Sequence, residues 1–277
     1  MSLVDLYSPI FIGGMFKSGT SLLRAMIGNH SQVASGLETY WFDIDWSAIH
    51  GSEMQNRLHI IAEFYEIDKE SINNLVTESS CTEIFLTKLM EKFTHIKNKN
   101  RWAEKTPGNV VHIDRIKSFW PNAKFLHIIR DPRDIFASMR EAKKWDNVSE
   151  FMERWSTVFS NVEKFNKNGL LTKESYLEVR YEDLISNTEE IMQSVCLFSG
   201  LDYEPEISMF FGIKNDFDKV KYVTGKESTT LAHLAKPINS NRIGIWRKVL
   251  SSNDIYKLEV AVAKSGLSES YTRACLR

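Results

Sequence analysis

The sequence of 277 residues predicts an α/β fold with a central, mostly parallel sheet. Three observations predict this class. Short apolar runs with strand character alternate with longer segments of helical periodicity. The run at residues 124–130 is almost continuously apolar, as expected of a parallel strand that is covered on both faces. Residues 9–28 have the order of a buried strand, a glycine-bearing loop and a helix, which starts the alternating pattern.

The elements of the N-terminal part follow from local signals. Residues 9–13 are apolar and predict a buried strand, and residues 19–28 predict the helix that it leads into. Residues 31–45 are rich in Ser, Gly and aromatic residues and predict an irregular segment. Residues 52–97 contain neither Gly nor Pro, and their apolar residues recur at three- and four-residue spacing. This pattern predicts a helical insertion or lid.

The remaining elements continue the alternation of strands and helices. Residues 101–104 predict a short strand, and Pro107 lies in the first turn of a predicted helix that ends near residue 119. Beyond the strand at 124–130, the sequence predicts helices at 131–142, 148–167, 183–199 and 252–264, a strand at 176–180 and a loop-rich segment at 212–245. The length and the 43% hydrophobic composition predict one domain, residues 1–277, with 52–97 as its helical insertion.

Composition limits the possible partners and compartments. The net charge of −1 provides no global basic field for nucleic acid, so an anion site must be local. The three cysteines, Cys81, Cys196 and Cys275, are far apart, which argues against a metal site or a disulfide framework and favours a reducing compartment. No apolar run approaches the length of a membrane span, and no secretory signal is visible. We therefore expect a cytoplasmic protein without a membrane span.

The first chemical motif is the loop between the first strand and the first helix. Residues 14–21 nearly satisfy the phosphate-loop pattern G-x-x-x-x-G-K-[ST], but Thr20 stands in the lysine position and the lysine has moved to Lys17. Gly19 permits close backbone approach to a phosphate, and Thr20 and Ser21 add hydroxyl donors. The alternative is a capped helix start with a chance lysine. The strand–loop–helix context favours an anion site.

The second motif follows the strand at 124–130. Arg130 stands at the carboxyl end of this predicted central strand, where ligands bind in open α/β sheets, and Ser138 lies in the next helix. An arginine and a hydroxyl suit a second phosphate or sulfate-like group. Two alternatives stay open. In the first, the strand is ATPase-like and Asp131 is its magnesium ligand. In the second, Arg130 is a surface residue paired with Asp131 or Asp134.

The third motif lies at the end of the loop-rich segment. Residues 241–248 carry basic side chains around Gly244 and Trp246, including Arg242. Such a cluster closes over an anion in some proteins and is a solvated helix start in others.

Together these motifs resemble the sulfotransferase family that uses 3′-phosphoadenosine 5′-phosphosulfate (PAPS). Residues 17–24 are similar to its 5′-phosphosulfate loop, residues 125–138 to its 3′-phosphate element, and residues 242–246 to its C-terminal segment. The match extends from about residue 9 to 248 and is nearest in character to the branch that includes the tyrosylprotein sulfotransferases. The resemblance implies a P-loop-type three-layer sandwich and an enzyme that uses PAPS, releases adenosine 3′,5′-bisphosphate (PAP) and needs no metal.

The resemblance also implies a role for each matching residue. The 5′-phosphosulfate loop comprises Lys17, Ser18, Gly19, Thr20 and Ser21, with Lys17 beside the bridging oxygen. The 3′-phosphate would be held by Arg130, Ser138, Arg242 and Gly244. Glu38 matches the catalytic base, Lys105 a second lysine near the transferred group, Tyr181 a tyrosine near the nucleotide, and Ser228 a serine near the sulfate.

This chain departs from the tyrosylprotein enzymes at two positions. They carry arginine where this chain has Lys17, and a basic residue where it has Ala142; Arg140 or Lys143 would have to compensate. Those enzymes also have a Golgi membrane anchor that is not seen here, so a protein tyrosine acceptor is not implied. The sequence leaves the acceptor and the oligomeric state open.

The charge of the transferred group explains the displaced lysine. By analogy with phosphoryl transfer, charge builds on the bridging oxygen, which Lys17 is placed to reach. A sulfuryl group carries less negative charge than a terminal phosphate, so no metal is expected to neutralise it. Glu38 would accept the proton of an acceptor hydroxyl, with His30 and His127 as rival bases. The alternative functions are a P-loop kinase for a nucleotide or small molecule, and a non-catalytic nucleotide-binding module.

Overall fold

The computed structural model describes residues 8–208, 214–225, 232, 234 and 237–265. Within these ranges lies a five-stranded sheet with the order β2-β3-β1-β4-β5, and every neighbouring pair is parallel. The strands are β1 Ile10–Gly14, β2 Val33–Ser35, β3 Arg101–Lys105, β4 Lys124–Ile129 and β5 Tyr176–Arg180. Because all five strands run in one direction, their carboxyl ends meet along one edge of the sheet.

Helices connect the strands in the alternation that the sequence predicts. They are α1 Thr20–Gly28, α2 Ser52–Tyr65, α3 Lys69–Thr77, α4 Thr82–Ile96, α5 Ile113–Phe119, α6 Pro132–Glu141, α7 Val148–Lys167, α8 Tyr181–Ser186, α9 Thr188–Ser199, α10 Lys214–Thr224, α11 Trp246–Val249 and α12 Ser252–Lys264. Short 3₁₀ turns lie at Trp41–Asp43, Trp46–Ala48, Pro107–Val111, Pro205–Ile207 and Ser240–Arg242. None of the helices in the described ranges has the length and apolar character needed to span a membrane.

The two faces of β1 pack into different apolar clusters. Ile10 and Ile12 pack with α1, α8 and α9, whereas Phe11 faces the side of α2, α4, α5 and α7. The Phe11 ring lies 5.4 Å from Trp102 and 5.1 Å from Trp120, between ring centroids. Side chains of successive strand residues point to opposite faces, so β1 is covered by helices on both sides. The result is the three-layer α/β sandwich that the sequence predicts.

The region between β2 and β3 is helical, as predicted for residues 52–97. Helices α2, α3 and α4 bury one apolar face each, with Leu58, Ile72 and Leu86 at 2% exposure or less. Burying one such side chain contributes roughly 1.5–3 kcal/mol. The insertion is therefore packed against the sheet. The assignment of residues 1–277 to one domain stays a prediction.

Four predictions of secondary structure need correction. The helix predicted at 183–199 is divided at Asn187 into α8 and α9. The short strand β2 lies inside the segment predicted to be irregular, and α10 lies inside the segment predicted to be loop-rich. The predicted helix from about 106 to 119 begins instead with the 3₁₀ turn that contains Pro107, before α5. Helix α10 was not predicted because its sequence is rich in Lys and Asp and contains few apolar residues.

Candidate active site

A cavity of about 590 Å³ opens at the carboxyl edge of the sheet. Each strand supplies it with a side chain that the sequence singled out: Lys17 after β1, Glu38 after β2, Lys105 at the end of β3, Arg130 after β4 and Tyr181 after β5. These residues are distant in sequence, and the parallel sheet brings them together. The arrangement matches the position of ligand sites in open α/β folds.

The loop between β1 and α1 has the backbone of an anion site. Lys17 and Gly19 adopt positive φ angles of 66° and 108°. The Gly19 carbonyl accepts hydrogen bonds from the amides of Leu22 (2.9 Å) and Leu23 (3.1 Å), which starts α1. Within the described part of the chain, the amides at positions 19–21 have no acceptor. The free N–H groups of a helix N-terminus attract a phosphate.

Gly19 is required by its contact with Tyr181. A Cβ atom at Gly19 would lie 2.5 Å from Cδ2 of Tyr181, and the φ of 108° disfavours any other residue. The Tyr181 ring also packs against Arg130, whose Cζ lies 4.3 Å from the ring centroid. The Tyr181 ring therefore contacts both the phosphate loop and Arg130 at the end of β4.

Lys105 connects the phosphate loop to Glu38. Its ammonium group, in a side chain only 3% exposed, donates a hydrogen bond to the Ser21 hydroxyl at 3.1 Å and forms an ion pair with Oε1 of Glu38. The other carboxylate oxygen of Glu38 accepts a hydrogen bond from the Tyr40 hydroxyl. Both oxygens of Glu38 are therefore held in place inside the cavity.

The electrostatics of this group keep Glu38 ionised. Burial acts to raise the pKa of Glu38, but the charge and hydrogen bond of Lys105, with the Tyr40 hydroxyl, lower that pKa on balance. Burial lowers the pKa of Lys105, and the charge of Glu38 opposes this shift. Burial and the neighbouring carboxylate raise the pKa of Tyr40, so its hydroxyl remains a donor.

Lys17 loses its proton more readily than an exposed lysine does. Burial, followed by the positive charges of Lys144 and Arg242, lowers its pKa to about 8. Lys144 and Arg242 also line the cavity. The cavity therefore contains a concentration of positive charge that a bound anion would relieve.

Arg130 links two segments of the cavity wall. Its guanidinium donates to the Lys17 carbonyl at 2.9 Å and to the Arg242 carbonyl. Among the described residues, its buried Nε has no hydrogen-bond partner. Arg242 donates to the Ser138 hydroxyl at 3.3 Å and to Glu141 at 2.7 Å. Arg130, Ser138 and Arg242 thus meet at one end of the cavity, as the sequence predicts.

Two predicted ligand residues lie just outside the cavity lining. Ser18 is fully buried, and its hydroxyl has no partner in the described part of the chain. The Gly244 amide donates to Asp134 at 2.8 Å, and the φ of 71° at this position favours glycine. Gly244 therefore shapes the turn after Arg242. Ser228 lies outside the described residues.

The rival residues are placed away from the cavity lining. Nε2 of His30 is bonded to the Asp202 carbonyl (2.8 Å). His127 is fully buried in β4 and bonded through Nδ1 to the Tyr176 hydroxyl at 2.6 Å. Asp131 caps α6 and pairs with Arg133 at 2.7 Å. Glu38 is therefore the carboxylate that the described residues place in the cavity.

The structure adds Arg24 and Lys144 to the predicted lining. Arg24 is 4% exposed on the otherwise apolar face of α1, and a charged residue at such a position was the available sequence signal. The expectation that Arg140 or Lys143 compensates for Ala142 needs correction. Arg140 pairs with Asp146 (2.6 Å) and Asp254 (2.8 Å), and Lys144 is the basic residue of this loop in the cavity.

Comparisons with solved structures support the fold. The sulfotransferase domain of the Synechococcus olefin synthase aligns with a TM-score of 0.64 and 18% identity, over 92% of this chain and 95% of that domain. A mouse sulfotransferase complexed with PAP aligns with a TM-score of 0.53 and 12% identity, over 98% of this chain and 90% of that chain.

Comparisons of sequence identify the family. A putative protein-tyrosine sulfotransferase of Caenorhabditis briggsae is 25% identical over 262 residues, which cover 90% of this chain and 84% of that protein. A protein-tyrosine sulfotransferase of Drosophila melanogaster is 25% identical over 86% of this chain, but the match spans only 46% of that protein. The model of the sulfotransferase family matches residues 9–205. Since this match covers more than half of the sequence, the chain belongs to the sulfotransferase family.

Proposed function

We propose that this chain transfers the sulfuryl group of PAPS to a hydroxyl of an acceptor molecule, with Glu38 as the general base. The observation that carries the proposal is the position of Lys105, whose ammonium group contacts both Ser21 of the phosphate loop and Glu38. A donor phosphosulfate on the loop and an acceptor hydroxyl on Glu38 would therefore meet beside one buried cation.

The donor would be held at both of its charged ends. The amides at positions 19–21 and the hydroxyls of Thr20 and Ser21 suit the 5′-phosphosulfate. Arg130, Ser138 and Arg242 suit the 3′-phosphate at the other end of the cavity. The role of Lys144 would be to supply the charge that Ala142 lacks.

The reaction forms a bond between the acceptor oxygen and sulfur and breaks the bond between sulfur and the bridging oxygen of the 5′-phosphate. The acceptor proton passes to Glu38, and PAP leaves. Lys17 would stabilise the charge that grows on the bridging oxygen, and Lys105 the charge on the sulfuryl oxygens. General-base catalysis of this kind contributes typically about 10²–10⁴-fold in rate.

Lys105 would also control when Glu38 becomes a strong enough base to accept the acceptor's proton. While it is paired with Glu38, the pKa of Glu38 is lowered and the carboxylate is a weak base. An anionic donor on the loop competes for the ammonium group. As Lys105 turns toward the donor, the pKa of Glu38 rises and the carboxylate becomes a better proton acceptor.

We infer that the acceptor has an apolar or aromatic body. Apolar and aromatic side chains line part of the cavity, among them Leu37, Tyr40, Phe64 and Pro107. Such side chains bury an apolar ligand, whereas most of the cations in the cavity are assigned to the donor. The relatives named protein-tyrosine sulfotransferases support a phenolic hydroxyl as one form of acceptor. A cytoplasmic location stays a prediction, which cell fractionation would test.

The proposal is tested by labelled transfer from [³⁵S]PAPS to a small phenol such as 2-naphthol, with an acidic tyrosine peptide as the comparison acceptor. We expect transfer to the phenol by the wild type and loss of transfer in Glu38→Gln. Thermal stabilisation by PAP should be equal in both proteins. A preference for ATP with magnesium over PAP would indicate a kinase. PAP binding without transfer to any acceptor would indicate a binding module.

A further inference from the structure

Glu104, the residue before Lys105 on β3, is a buried carboxylate that the proposed reaction does not use. Its side chain is 1% exposed and lies outside the cavity lining. A buried carboxylate is costly unless every oxygen is hydrogen-bonded. The partners of Glu104 therefore indicate what it does.

Four donors surround the Glu104 carboxylate. Oε1 accepts hydrogen bonds from the Thr39 amide (3.4 Å), the Thr39 hydroxyl (2.8 Å) and the Thr106 hydroxyl (2.8 Å). Oε2 accepts from the Asn109 side-chain amide at 2.6 Å. These contacts fit the ionised carboxylate, which only accepts. Burial raises the pKa of Glu104, and the hydrogen bonds from Asn109, Thr106 and Thr39 oppose this shift in part.

The two hydroxyls extend this network to the backbone. The Thr39 hydroxyl accepts from the Trp41 amide (3.3 Å), and the Thr106 hydroxyl accepts from the Tyr40 amide (3.0 Å). Each hydroxyl has one proton, which it gives to Glu104. Three consecutive amides, those of residues 39–41, are thus anchored to Glu104, directly or through one hydroxyl. They are the three residues that follow Glu38.

The anchored segment is also held from the opposite side. Arg57 of α2 donates to the Thr39 carbonyl at 2.8 Å and 3.2 Å. Tyr40 has a φ of 50°, a strained conformation for a non-glycine residue that needs support from its surroundings. Glu104 and Arg57 together supply that support to the segment next to Glu38.

We propose that Glu104 is a positioning residue that fixes the backbone beside Glu38, while Lys105 fixes the Glu38 side chain. The inference rests on the proposed role of Glu38 as the base. Two successive residues of β3 would then hold the base. Glu104 would hold the backbone that follows Glu38, and Lys105 would hold the Glu38 carboxylate inside the cavity.

The test compares Glu104→Leu with Glu104→Gln, which keeps an acceptor for both threonine hydroxyls. We expect kcat to fall about 10–100-fold in Glu104→Leu, since small displacements of a reacting group are costly. Affinity for PAP should stay within twofold of the wild type, and Glu104→Gln should regain most of the lost rate. Hydrogen exchange should accelerate at residues 38–42 in Glu104→Leu, with unchanged protection of the phosphate loop.

Thr39→Val provides a milder variant if Glu104→Leu does not fold. It removes the hydroxyl between Glu104 and the Trp41 amide, and we expect the same pattern with a smaller loss of kcat. Thr94→Val is the matched control, because Thr94 is also buried but bonds the Met90 carbonyl within α4. The control should keep the wild-type kcat.

Three outcomes would overturn the inference. Unchanged exchange at residues 38–42 would show that Glu104 does not anchor them. Faster exchange with wild-type kcat would show that the anchoring does not serve catalysis. Equal losses in kcat and PAP affinity would show a general structural role. If the wild type transfers no sulfuryl group to any acceptor, the proposed function fails. The exchange measurement needs no turnover, so it would still show whether Glu104 anchors residues 39–41.

Discussion

Lys105 and Glu38 form an ion pair within the cavity, on the side where Lys105 also contacts Ser21 of the phosphate loop. The two residues come from β3 and from the segment after β2, which are neighbouring strands. The pair holds a carboxylate in its charged form in a place where burial would otherwise favour the neutral form. The state of Glu38 therefore depends on the charge at residue 105.

Removing that charge should change the pH dependence of the reaction. In Lys105→Met, only the Tyr40 hydroxyl and the weaker effect of the Arg24 charge still oppose burial, so the pKa of Glu38 should rise. The acid limb of the kcat/KM profile, which reports the free enzyme, should therefore move to higher pH. We expect kcat at its optimum to fall about 10²–10³-fold, because a preorganised charge is lost. Lys105→Arg, the control, should keep the acid limb of the wild type. An unmoved limb in Lys105→Met would contradict the coupling.

The lowered pKa of Lys17 predicts that donor affinity falls in mildly alkaline solution. With a pKa of about 8, Lys17 loses its proton as the pH rises from 7 to 9, and the cavity loses one positive charge. We expect PAP to bind the wild type about tenfold more weakly at pH 9.5 than at pH 7.5, measured by calorimetry. Lys17→Arg stays protonated over this range and should lose much less affinity. Parallel losses in both proteins would refute the assignment.

Arg130 should determine the preference for a 3′-phosphate. Hydrogen bonds to charged groups contribute about 1.5–3 kcal/mol, so Arg130→Ala should bind PAP about 10–100-fold more weakly. Its affinity for adenosine 5′-monophosphate, which lacks the 3′-phosphate, should change little. Arg140→Ala is the control, since Arg140 pairs with Asp146 and Asp254 away from the cavity lining. A retained preference for PAP in Arg130→Ala would move the 3′-phosphate to another group.

His127 should make the fold sensitive to acid. Burial lowers its pKa from 6.5 to about 4, so between these values the unfolded chain binds a proton that the folded chain excludes. The free energy of unfolding should therefore decrease as the pH falls, by about 3 kcal/mol for this residue at most. Urea unfolding at pH 7 and pH 4.5 measures the loss. His127→Phe should lose less stability over the same interval, and an equal loss would show that carboxylates account for all of it.

The fold was predictable where local signals were strong. The bounds of α7 and α12 match the predicted ranges because Asn147 caps one helix and Ser251 forms a capping box in the other. The apolar run of β4 was equally clear. The three-residue strand β2 was missed because its pairing with β3, and not its own sequence, makes it a strand.

The site was predictable to the extent that motifs mark the ends of strands. Lys17, Arg130 and Tyr181 follow strands directly or within a short loop, so a parallel sheet places them at one edge. Glu104 was not predictable as a positioning residue. Its proposed function depends on hydrogen bonds to Thr39, which is 65 residues away in sequence. A single sequence does not show which distant residues are in contact.

The origin of the cavity wall from separate parts of the chain has a consequence for how this enzyme can diversify. The groups proposed to hold the donor sit on strand ends, on α1, on α6 and on the turn that contains Arg242, whereas Phe64 of the cavity wall comes from the helices inserted between β2 and β3. Position 64 can therefore change while the strand ends that carry the proposed donor groups keep their places. An engineer who varies Phe64 and keeps Arg57, which holds the segment beside Glu38, would alter the cavity wall without touching the donor groups. In this chain, one helix of the insertion thus carries both a variable position and a position that must be kept.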